Sequence, residues 1–273
     1  MSKLKTFAFN TAVSALIVAG GLFAAAPTRA AFAAPAAAEA ASGPVTVILV
    51  HGAWADGSSW SKVIPLLQAK GVRVLSVQNP LTSLADDVAA AKRAIAYAKG
   101  PVVLVGHSWG GSVITQAGDD PKVKALVYVA AFANSEGQSG YDLISAYPKQ
   151  PVLDQVIDDG QGFLYLSEKG IAEDVGQDLP KAEAKVLAAT QGALGAGAFG
   201  DKVSIAAWKT RPSWYVVATN DRALSPALQR DLAKKLNAKT KVVPSSHYAI
   251  LSHPAEVAAV IEEAVRSVQP QGR

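Results

Sequence analysis

The chain has 273 residues, half of them hydrophobic and 18% charged, which supplies one sizeable buried core and excludes wholesale disorder. Its formal charge of +4 comes mostly from the N-terminus: Lys3, Lys5 and Arg29 lie in residues 1–33 without an acid, and beyond them 23 basic residues face 22 acidic ones. No basic face for nucleic acid is expected, and with no cysteine there is no disulfide framework.

In MSKLKTFAFNTAVSALIVAGGLFAAAPTRAAFA two lysines precede an apolar run that ends in small residues, with Ala-x-Ala-like cuts near Ala30 or Ala33. Asn10, Thr11 and Gly20-Gly21 interrupt that run, which is short for a membrane span. A cleaved secretory signal over residues 1–33 is expected, hence periplasmic or secreted localisation with no stable membrane insertion after cleavage. Residues 34–43 read as a flexible lead-in and residues 44–273 as the domain.

From Pro44 the pattern is strand then helix, repeated. VTVILV (45–50) suits a strand buried on both faces. WSKVIPLLQAKG (60–71) reads as a helix, VRVLSV (72–77) as a strand and LADDVAAAKRAIAYAKG (84–100) as an amphipathic helix. PVVLVG (101–106) is the third strand, GSVITQAG (111–118) opens the next helix, and KALVYVAA (124–131) is the fourth strand. After a glycine-rich excursion over 134–208, SWYVVAT (213–219), PALQRDLAKKLNA (226–238), KVVP (241–244) and PAEVAAVIEEAVRSV (254–268) resume the alternation. The expected fold is α/β, a mostly parallel sheet of about six strands with helices on both faces. The excursion reads as a small helical cap.

Gly-x-Ser-x-Gly at 106–110 falls between an apolar strand and a helix, the context in which a serine is displayed on a tight elbow as a nucleophile. Ser108 then needs a base and donors for an oxyanion. Of the four histidines, His51 and His107 stand beside glycines at strand ends and read as loop-bracing residues, and His253 opens the last helix as a capping or surface residue. His247, just past the last strand, is the expected general base. Asp221, ending the fifth strand in VVATNDRALSP, is the expected acid, with Glu136 as its competitor. The remaining aspartates read mostly as solvated charges. The oxyanion donors expected are the backbone amides of Trp109 and Ala53. Trp54, Tyr141, Phe163 and Tyr165 are candidates to line a substrate pocket, or equally to pack loop and cap.

With HGAW, GHSWGG, TNDRALSP and SSHYAILSHP in that order, the chain resembles the α/β-hydrolase superfamily from about Val45 to Val268. Within it the chain is similar to the compact branch of plant methyl esterases, hydroxynitrile lyases and bacterial aryl or carboxyl esterases. The resemblance implies a serine hydrolase with a Ser-His-Asp triad, no cofactor, no metal and a small-molecule ester as substrate. Lyase members carry a lysine after the catalytic histidine and a threonine after the histidine of the first loop. Here Tyr248 and Gly52 stand in those places, which favours ester hydrolysis over cyanohydrin cleavage. The alternatives are another reaction of the superfamily, such as C–C or amide cleavage, and a non-catalytic small-molecule binding protein.

Overall fold

The structure, a computed structural model, describes residues 43–269. The expected signal and nearly all of the lead-in lie outside the described residues. Strand β1 (Thr46–Val50) is buried along its whole length. A 3₁₀ turn at Gly57–Trp60 follows, capped by the Asp56 side chain, and helix α1 (Ile64–Ala69) starts later than the sequence suggests. Pro65 sets that start: it lacks an N–H, so a helix accommodates it only in its first turn. β2 (Arg73–Ser76) leads to α2 (Leu84–Tyr97), whose N-cap Ser83 accepts the Asp86 amide at 3.1 Å. β3 (Val102–His107), α3 (Gly110–Ala117) and β4 (Val123–Val129) complete the first half.

The excursion opens with α4 (Gly140–Ile144), held by a capping box between Ser139 and Asp142. It also contains, besides helices such as α5 (Lys181–Thr190), an antiparallel sheet of β5 (Val156–Asp158), β6 (Phe163–Leu166) and β7 (Leu194–Gly195). The chain then returns through β8 (Ser213–Ala218), α6 (Pro226–Lys235), β9 (Lys239–Val243) and α7 (Pro254–Val268).

The main sheet is parallel throughout, in the order β2-β1-β3-β4-β8-β9, with α2 packed on α3 and α1 on α7 as helical layers on its two faces. Strand order reverses between β1 and β3, which lie side by side. A crevice at the carboxyl ends of such a pair is where open α/β sheets bind ligands. Here those ends carry His51–Ala53 and Ser108.

Helix α3 can follow β3 so abruptly only because its start has no side chains. A Cβ at Gly106 would lie 2.5 Å from the Gly110 carbonyl oxygen, and one at Gly110 would lie 2.4 Å from that of Val50. A Cβ at Gly111 would meet the Phe132 carbonyl at 2.1 Å. All three obstacles are backbone, so they cannot rotate away. Gly111→Ala is expected to lower stability by about 3 kcal/mol, the upper end of the usual cost of overpacking a core. Gly197→Ala, where nothing lies within 4 Å, should change it by less than about 0.5 kcal/mol. Urea unfolding of both variants checks the contrast.

Candidate active site

Ser108 has φ +52°, a left-handed conformation that costs a residue with a side chain. Three backbone bonds hold it there. Its N–H donates to Val129 O at 3.2 Å, and its carbonyl accepts from the amides of Gly111 at 2.9 Å and Phe132 at 3.1 Å. The side chain lines a cavity at the sheet's carboxyl edge together with His247.

His247 follows β9 on a buried loop, and Asp221 follows β8 on the neighbouring one. Asp221 Oδ2 accepts from His247 Nδ1 at 2.7 Å, which fixes the proton on Nδ1 and leaves Nε2 as the basic nitrogen. Every lone-pair direction of Asp221 is used. Oδ1 accepts the amides of Ala223 and Leu224, each at 2.8 Å, and Oδ2 also accepts Gln229 Nε2 at 2.7 Å. His107 donates through Nε2 to the His247 carbonyl at 2.9 Å and so braces the same loop. Burial holds its basicity well below that of a free imidazole, and His107 stays neutral.

The Ala53 and Trp109 amides flank Ser108, and neither donates to a protein acceptor among the described residues. Trp109 is the N-cap of α3, so its N–H lies at the positive end of that helix. The Ala53 loop passes close to the serine: a Cβ at Gly52 would lie 2.8 Å from Ser108 Cβ. His51 stiffens that loop, donating from Nδ1 to Gly52 O at 2.8 Å and accepting the Asn79 amide on Nε2 at 2.9 Å. Burial again lowers its basicity and keeps it neutral.

The cavity encloses about 250 Å³. Apart from Ser108 and the two histidines its walls are apolar or aromatic, and among the described residues no Lys, Arg, Asp or Glu lines it. Trp54 and Tyr141 line it as expected from the sequence. Phe163 and Tyr165 do not. They alternate on β6 with Leu164 and Leu166, and it is the two leucines that face the cavity. Phe199, which the sequence did not single out, sits among Trp54, Trp109, Phe132 and Tyr141.

Glu136 lies at the surface, paired with Lys209, which holds its carboxyl below the usual range. It is not the partner of His247. His253 caps α7, with its Nδ1 3.0 Å from Ser252 Oγ. Three polar residues that matter were not recognised in the sequence. Gln229 is fully buried and bonds Asp221, the Ala218 amide at 2.9 Å and the Leu224 carbonyl at 2.8 Å. Asp178, from the excursion, accepts the Ser246 amide beside His247 at 2.8 Å. Asp87 is fully buried, contrary to its reading as a solvated charge, and accepts Trp109 Nε1 at 2.7 Å and the Leu81 amide at 2.8 Å. Periodicity held a signal for two of them, because Asp87 and Gln229 lie on the apolar stripes Leu84–Val88–Ala91 and Leu228–Leu232–Ala233.

A model of the alpha/beta hydrolase family matches residues 47–260, and the chain belongs to that family. A pyrethroid hydrolase of Sphingobium wenxiniae is 27% identical over 251 residues, covering 80% of this chain and 86% of that protein. Among solved structures, a pyrethroid hydrolase from Sphingobium faniae superposes with a TM-score of 0.69 at 24% identity, covering 82% of this chain and 98% of the other. A methylesterase from Arabidopsis does so with a TM-score of 0.67 at 20% identity, over 82% and 99%.

Gln229→Met keeps the volume but strands the Ala218 amide and weakens the hold on Asp221, a loss of about 2–4 kcal/mol on unfolding in urea. Asp87 has no cationic partner among the described residues, and burial raises its carboxyl from 3.8 to about 6. Between those values the folded state binds its proton more tightly than the unfolded chain, so its contribution to stability declines as pH rises through that window. At about 1.4 kcal/mol per pKa unit the change is about 3 kcal/mol. Melting of the parent against Asp87→Asn from pH 4 to pH 7 reads it: acidification should favour the parent relative to the variant.

Proposed function

We propose that the protein is an exported serine hydrolase that cleaves small, uncharged carboxylic esters through an acyl-enzyme. One observation carries this reading. The Asp221-oriented imidazole of His247 and the strained Ser108 share an apolar cavity with Ala53, and the amides of Ala53 and of Trp109, the residue after Ser108, have no protein acceptor among the described residues. Ser108 Oγ attacks the acyl carbon while its proton passes to His247 Nε2, and Asp221 stabilises the imidazolium. The carbonyl oxygen becomes an oxyanion that meets the Ala53 and Trp109 N–H groups. The C–O bond then breaks, and the leaving alkoxide takes the proton from His247. Water, deprotonated in turn by His247, hydrolyses the acyl-enzyme and frees the acid. The absence of charged side chains in the wall favours neutral substrates, since an ion would enter without a partner. The hydrolase and esterase relatives support ester cleavage, and the lysine-bearing N-terminus with its apolar run supports export.

Hydrolysis of p-nitrophenyl esters from acetate to decanoate tests the assignment. Turnover is expected to fall for the longer chains and to drop at least about 10⁴-fold in Ser108→Ala. Asp221→Asn should lose about 10³- to 10⁴-fold. Folded protein that turns over none of these esters and takes no label from a fluorophosphonate probe would sink the hydrolase reading. Mass spectrometry of the exported protein should find a new N-terminus near residue 31 or 34, and an intact Met1 retained in the cell overturns export.

A further inference from the structure

Asp87 is an expensive residue to place where it is. Its side chain is fully buried, no cation pairs with it among the described residues, and burial lifts its carboxyl to about 6. An apolar side chain in the α2 stripe would avoid that desolvation. What the carboxylate holds is specific. Oδ2 takes the indole N–H of Trp109 at 2.7 Å, and Oδ1 takes the amide of Leu81 at 2.8 Å. Trp109 directly follows Ser108, and its ring is fully buried edge-on against Phe199 with centroids 5.3 Å apart. Leu81 is itself left-handed at φ +60°, and its carbonyl accepts the Gly195 amide of β7 at 2.8 Å. One carboxylate therefore ties the elbow, the loop after β2 and the excursion together.

We propose that Asp87 is a positioning residue for the oxyanion site. By anchoring the far end of the Trp109 ring it fixes the tilt of the Ser108–Trp109 peptide and so aims the Trp109 N–H into the cavity. This rests on the reading of that amide as an oxyanion donor under the proposed function. Asp87→Asn keeps one accepting oxygen but turns an NH₂ toward the other donor. Trp109→Phe removes the same bond from the opposite end.

The test compares p-nitrophenyl acetate with its thiono analogue, in which sulfur replaces the carbonyl oxygen. Sulfur is larger and a weaker acceptor, so the preference for the oxo ester reports how well the amides are aimed. Rates are expressed per active serine, counted by burst titration. Losing an oxyanion donor outright costs about 10²- to 10³-fold in kcat. A mis-aimed one should cost about tenfold, with KM within about twofold and a several-fold smaller oxo/thiono ratio. Trp109→Phe should reproduce both changes, and the double variant should be no worse than the worse single. If Asp87→Asn does not fold, Trp109→Phe alone reads the contact.

An unchanged oxo/thiono ratio in the folded variants, even with a lowered melting temperature, makes Asp87 purely structural and overturns the inference. A parent enzyme with no preference for the oxo ester overturns the oxyanion reading itself, and the inference with it.

Discussion

The backbone at Ser108 is the constraint around which the rest of the site is built. A left-handed serine costs about 1–3 kcal/mol and persists only where its surroundings leave it no alternative. Val129, Gly111 and Phe132 supply hydrogen bonds from three separate places, and each depends on β3, β4 and α3 keeping their positions. The glycines at 106, 110 and 111 allow α3 to start against the β1 and β4 backbones. The chain thus holds a left-handed serine at the end of its central strand, next to a helix N-terminus.

Around that point polar groups are buried in an otherwise apolar interior, where an electrostatic interaction is stronger and an unpaired one costs more. Asp221 meets the condition with four donors and His51 with both ring nitrogens bonded, whereas His107 stays neutral with Nε2 bonded and Nδ1 buried without a partner among the described residues. Asp87 meets it only partly, with two donors and no cation, and its raised pKa is the physical trace of that. Burial moves His51, His107 and Asp87 toward their neutral forms.

The excursion is more than a lid on the cavity. The Trp54 indole N–H donates to Leu164 O at 2.9 Å, fastening the Ala53 loop to β6. Asp178 holds the Ser246 amide beside His247, and Gln177 Nε2 donates to Asn220 O at 2.6 Å beside Asp221. Arg222, one residue past Asp221, pairs with Asp174 at 2.9 Å. The segment that shapes the cavity therefore also holds the loops that carry Ala53, Asp221 and His247, so changes in its walls are coupled to the alignment of those residues.

The strand–helix alternation and the elbow are legible in the linear chain because those features are local. Asp221 and His247 are each legible as residues just past a strand end, but their 2.7 Å contact joins segments 26 residues apart. Apolar runs of strand length, glycines spaced around a serine, and an acid and a histidine just past successive strand ends can each be read within a few residues. Helix α1 was harder to place, since Pro65 acts on the chain before it and the 3₁₀ turn uses a side-chain cap. The face of β6 was not legible at all. Phe163 and Tyr165 are as apolar as Leu164 and Leu166, and only the packing of β6 over the main sheet decides which pair lines the cavity. Gln229 and Asp87 were visible as polar residues on apolar stripes, but their partners come from loops 5 to 22 residues away. By itself the sequence determined the elements and the order of the reactive groups. The tertiary structure alone decided which buried donor each acceptor meets, because that choice depends on distances between segments that only the folded core brings together.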